Sequence, residues 1–106
     1  MTTLAEYPVA VVIWHQAGCA HCEAFRPVSV RAAHAHPDVP TVWIDARENE
    51  RLADAFAVRS TPTVVLLAYG RTLARKDGAA LADELAGMYA VAREQVVLYA
   101  RVRGTA

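Results

Sequence analysis

Six consecutive apolar residues, Val9-Ala10-Val11-Val12-Ile13-Trp14, leave this chain few ways to fold. The run is continuous and rich in β-branched residues, so it reads as a strand buried on both faces, which needs a packed layer on each side. It is far too short to span a bilayer, as is the other long apolar run, residues 63–68. Helical patterns follow at residues 20–35 (Phe25, Val28 and Ala32 on one side) and 48–57 (Leu52, Ala55 and Phe56 inward). A third, at residues 79–93, puts Leu81, Leu85, Met88 and Ala92 on one stripe. Further strands are expected at residues 40–45 and 63–67, and Tyr69-Gly70 turns the latter into a hairpin partner at residues 71–75. The order β-α-β-α-β-β-α implies an α/β fold with a mixed sheet: parallel pairs linked by helices, plus one antiparallel hairpin. In the tail, Val96, Leu98, Ala100 and Val102 alternate with more polar neighbours, and β-branched content favours a strand over a continued helix.

A chain of 106 residues is expected to form one domain, with its core in residues 9–93 and an extension over 94–106. At 55% hydrophobic and 21% charged residues it is globular in composition, not disordered. Eleven basic and 11 acidic side chains cancel, so charge gives no argument for nucleic acid or a membrane surface as partner. The opening residues Met1-Thr2-Thr3-Leu4-Ala5-Glu6-Tyr7-Pro8 lack the basic, apolar and small-residue regions of a signal peptide. The expected setting is therefore cytoplasmic, where thiols stay reduced unless they have a redox task.

The two cysteines form one motif, Cys19-Ala20-His21-Cys22, at the junction of the first strand and the first helix. The spacing lets the first thiol sit at the helix N-terminus and the second lie one turn in, close enough to bond. A helix N-terminus carries free N–H groups and about half a positive charge, which stabilise a thiolate. Cys19 is thus the expected nucleophile and Cys22 the resolving thiol. Cys19 would attack a substrate disulfide, and Cys22 would release the mixed disulfide. The alternatives are two inert core cysteines or half a metal site. A metal site needs more ligands, and His34 and His36 fall at the far end of the helix. No metal and no cofactor are expected.

From residue 9 to about residue 93 the chain resembles the thioredoxin family. The resemblance rests on the C-x-x-C; on Pro27, where the family has a helix-kinking proline; and on Val42-Trp43-Ile44-Asp45 as the central strand. It rests also on Val58-Arg59-Ser60-Thr61-Pro62-Thr63 as the cis-proline loop, and on Gly70 and Gly78 at the hairpin turn and before the last helix. It implies a thioredoxin-like fold, a mixed sheet with helices on both faces, shortened at its N-terminal side. It implies a disulfide oxidoreductase acting on protein disulfides or dithiols, with a thioredoxin-reductase-type electron donor; the chain itself is expected to be a monomer or weak dimer. It implies that Pro62 is cis and faces the cysteines, and that the Thr61 backbone pairs with a substrate strand, with Gly18, Ala20 and Arg59 at the contact surface. On residues alone, Pro62 could equally begin a strand.

Four departures from the family carry expectations of their own. His21 stands where thioredoxins have proline. An imidazolium there would favour the Cys19 thiolate and make the pair more oxidising than thioredoxin's roughly −270 mV, short of roughly −120 mV for DsbA-type enzymes. Gly18 replaces a tryptophan and removes a flat contact surface. Ile13 stands where the family buries an acid, leaving His15 or water to move the proton. The tail at residues 96–102 is expected to cover the sheet edge left by a missing first strand, since an open edge invites pairing with another chain. Trp14 and Trp43 are expected in the core. The alternative function is a protein-binding module with weak redox turnover.

Overall fold

The computed structural model describes Leu4 and residues 7–102. Four strands, β1 (Val9–His15), β2 (Thr41–Asp45), β3 (Thr63–Ala68) and β4 (Arg71–Asp77), form one sheet in the order β2-β1-β3-β4. Three helices accompany them: α1 (Ala20–Ala35), α2 (Glu50–Ala55) and α3 (Ala82–Val102). β1 and β2 run parallel through the α1 crossover. β3, however, returns antiparallel to β1, with Val12 opposite Val65. The expectation of several parallel pairs is corrected to one, because a strand's direction depends on where its connection re-enters the sheet. β3 and β4 complete the hairpin, with a register shift between Leu66 and Leu67.

Alternation along β1 divides the interior. Val9, Val11 and Ile13 face one layer with Phe25 of α1 and with Leu85, Met88, Tyr89 and Ala92 of α3. Ala10, Val12 and Trp14 face the other, under Ala53 of α2 with Leu52 and Phe56 packed beside it. β1 is buried over nearly its whole length, as a central strand with two covered faces must be. Arg75 of β4 clasps the end of α2, donating to the carbonyls of Phe56 and Ala57.

Several expectations need correction. The tail is not a strand: α3 continues through Val102. Tyr69 in the hairpin turn donates to the Gln95 carbonyl at 3.0 Å and packs its ring against Tyr99, which ties the tail to the protein as helix. The tail therefore adds no strand to the sheet, and among the described residues β2 is paired on one side only. Leu81 is 70% exposed because α3 begins just after it; its N–H is held by the Glu84 carboxylate. That bond first, and the Lys76 ammonium second, keep the Glu84 carboxyl below the usual carboxylate range. In α2 the buried residue is Ala53, and Ala55 faces solvent. Trp14 is fully buried, but Trp43 is 41% exposed. Of the N-terminal segment, residues 1–3, 5 and 6 lie outside the described residues.

Candidate active site

β1 delivers the chain to the site. After His15 the backbone turns through Gly18, whose φ of +74° lies in the left-handed region that glycine adopts at least cost. Cys19 follows with extended dihedrals and caps α1. Its Sγ accepts the Cys22 N–H at 3.1 Å, while its carbonyl accepts the first helical bond from Glu23 at 3.1 Å. Sulfur thus occupies the place where an N-cap oxygen usually satisfies a free helix N–H, a position that favours negative charge. Cys19 and Cys22 are joined as a disulfide with Cα atoms 5.2 Å apart. Cys19 is half-buried, and Cys22 is buried at 9% exposure. The more exposed cysteine is therefore the one at the helix end.

The loop before β3 forms the facing wall. The Thr61–Pro62 peptide is cis, and Pro62 is fully buried. The Thr61 hydroxyl donates to Cys19 Sγ at 3.4 Å, and the Thr61 carbonyl oxygen lies 3.4 Å from the same sulfur. The loop is pinned by Gly78 N–H to the Pro62 carbonyl at 2.8 Å and by the Thr63 hydroxyl to the Ser60 carbonyl at 2.8 Å. Residues 42 apart in sequence are thereby held against one sulfur.

The remaining expected residues spread over a rim. Gly18, Ala20 and His21 are exposed around Cys19. Arg59 is exposed on an open cleft shared with Gln16, Arg47, Glu50, Asp54 and Thr61. His15 is half-buried at the end of β1. Behind Cys22 lies a cavity of about 40 Å³. Ile13, Phe25 and Pro62 supply its apolar wall; His15, Gln16, Glu23, Arg26 and Ser29 supply polar atoms; Trp43 lies beside it. Trp43, Glu23 and Arg26 were not singled out as site residues by the sequence. Alternation was the signal for Trp43: Val42 and Ile44 pack toward the α2 layer, so the residue between them faces the opposite way. No group of three or more His, Cys, Asp or Glu among the described residues is placed to hold a metal ion.

Comparison with known proteins agrees with this geometry. The thioredoxin family profile matches residues 2–90. The chain is 36% identical over 81 residues to thioredoxin C-3 of Corynebacterium nephridii, a match covering 76% of this chain and 55% of that protein. It is 37% identical over 49 residues to a putative thioredoxin 2 of Streptomyces coelicolor, covering 46% of this chain and 37% of that one. The chain thus spans about half or less of the curated relatives it matches. Among solved structures, a thioredoxin of Nicotiana alata superposes with a TM-score of 0.75 at 30% identity, covering 81% of this chain and 74% of its own.

Proposed function

The chain belongs to the thioredoxin family of thiol–disulfide oxidoreductases, and we propose that it exchanges disulfides with protein substrates through Cys19 and Cys22. The observation that carries this reading is the capping geometry: Cys19 Sγ sits on the Cys22 N–H at the start of α1, disulfide-bonded to a more buried Cys22. In the reducing direction, the Cys19 thiolate attacks one sulfur of a substrate disulfide, and the other leaves as a thiolate. Cys22 then attacks Cys19 Sγ, and the second substrate sulfur leaves. The substrate gains two electrons and the Cys19–Cys22 disulfide forms. A reductase-type donor would return the pair to dithiol, and a cytoplasmic setting fits such a cycle. The substrate strand would lie against Thr61 and Pro62, bordered by Gly18, Ala20 and Arg59.

His21 lies two residues after Cys19 on the exposed first turn of α1, where a positive ring would stabilise the thiolate. The proposal therefore includes a potential between roughly −270 and −120 mV, more oxidising than thioredoxin.

Two measurements test it. Cys22→Ser should accumulate mixed disulfides through Cys19, and Cys19→Ser should abolish catalysed insulin reduction. Wild-type rates no better than free dithiol would overturn the enzyme and leave a binding module. Equilibration with glutathione buffers gives the potential, and a value at or below thioredoxin's would overturn the role of His21.

A further inference from the structure

The resolving step requires Cys22 as a thiolate, yet Cys22 is buried and burial disfavours charge. Part of the wall of the adjoining cavity is apolar, since Ile13 contributes only hydrocarbon. The cavity behind Cys22 gives the proton a route out, and polar groups of its lining are placed to take it. The cavity, at about 40 Å³, exceeds the roughly 10–15 Å³ that one water needs. The Ser29 hydroxyl is committed to the Arg26 carbonyl at 3.0 Å. Gln16 does not titrate, and a guanidinium such as that of Arg26 cannot act as a base. His15 and Glu23 remain.

Base strength and position separate these two. Moving a proton from an ordinary thiol to a carboxylate is uphill by about four pK units, and to an imidazole by about two. Glu23 is exposed on the first turn of α1. His15 is half-buried and borders two spaces at once. One is the cavity with Cys22; the other is an open cleft with Trp43, Asp45 and Glu48. Among the described residues its ring makes no hydrogen bond or ion pair with the protein, so both nitrogens are available.

We propose that His15 is the proton carrier for Cys22, linking the cavity behind the resolving thiol to solvent. The inference rests on the disulfide-exchange reading above. With a substrate joined to Cys19, the neutral His15 ring takes the Cys22 thiol proton, directly or through one water. The Cys22 sulfur then attacks Cys19 Sγ. The bond between Cys19 and the substrate breaks, and its electron pair leaves with the substrate sulfur. The imidazolium returns its proton to that thiolate or to solvent through the outer cleft. The charged groups facing His15 are Asp45 on β2, Glu48 beyond it, and Glu23 and Arg26 on α1.

The test is stopped-flow reaction of the reduced protein with 5,5′-dithiobis(2-nitrobenzoate). The first release of thionitrobenzoate reports Cys19, and the second, independent of reagent concentration, reports Cys22. At pH 7 only a few per cent of an ordinary thiol is ionised, so base assistance is worth at most about 30-fold. His15→Gln should slow the second phase roughly tenfold at pH 7, within that bound. It should also erase the inflection between about pH 5 and 8, where histidines titrate, and leave the first phase unchanged. His15→Asn serves where the glutamine variant does not fold. An unchanged second phase with an unchanged pH profile in the folded variant overturns the proposal, as does an effect confined to Glu23→Gln. A wild-type second phase that survives Cys22→Ser overturns the disulfide-exchange reading instead, so the two failures are distinct.

Discussion

The two faces of the sheet are built from alternate residues of the same strands, yet they are covered differently. Val9, Val11, Ile13, Val64 and Leu66 lie beneath α1 and α3, helices of 16 and 21 residues. Ala10, Val12, Trp14, Val65 and Leu67 lie beneath α2, six residues long, with Phe56 and Val58 of the chain beyond it packed alongside. The first face is sealed by large side chains from regular elements. The second is closed in part by the segment that leads on to Thr61 and Pro62. The site thus takes Cys19 from a helix of the heavily covered face and its facing wall from the lightly covered one.

This contrast can be broken in order of expected effect. Leu85→Ala, on the sealed face, should cost about 2–5 kcal/mol by removing a fully buried side chain from a packed layer. Urea unfolding would measure it, while disulfide exchange at a temperature that keeps the fold stays near wild type. A cost below 1 kcal/mol would mean that α3 is not the main seal.

Tyr89→Phe probes the same helix more gently. The Tyr89 hydroxyl pairs with that of Thr41 on β2. Burial raises its pKa above 10.0, and the Thr41 hydrogen bond opposes part of that rise. The folded state therefore holds the phenol proton more tightly than the unfolded chain. The stability this gives is fully present below the unfolded value and is lost as pH rises through the folded one. Removing the hydroxyl should cost about 1 kcal/mol near neutrality and flatten the alkaline decline of the melting temperature. A decline as steep as wild type's would place its origin elsewhere.

The smallest effect is expected on the lightly covered face. Trp14 is fully buried against Phe56, with ring centroids 5.9 Å apart, and its Nε1 has no hydrogen-bond partner among the described residues. An unpaired buried N–H costs about 1–3 kcal/mol. Trp14→Phe removes that penalty along with some apolar area, so the two changes should offset to within about 1 kcal/mol. A loss as large as that for Leu85→Ala would show the second face to be packed as tightly as the first.

Much of this architecture was legible in the chain because local and global preferences agree there. The apolar run that becomes β1 has no alternative to burial on both faces, and the C-x-x-C follows it directly. Thr61-Pro62 stood out by resemblance; the bond between them is cis, and the Thr61 hydroxyl lies 3.4 Å from Cys19 Sγ. Legibility failed where local pattern was ambivalent and a distant contact decided. Val96 to Val102 alternates like a strand, but Tyr69 and Gln95 hold it as helix. Trp43 read as core by composition, yet it sits on the terminal strand of the sheet with no neighbour beyond it among the described residues. The direction of β3 was invisible because connection length does not determine strand polarity.

The hydrogen bond between the Thr61 hydroxyl and Cys19 has a consequence for the timing of activity during synthesis. The thiols emerge together and can oxidise as soon as one turn of α1 forms, since only two residues lie between them. The wall that would hold a substrate emerges 42 residues later. On the proposed docking mode, a nascent or partly unfolded chain therefore carries a redox pair without a docking surface, and specificity would arrive only when β3 has closed on β1.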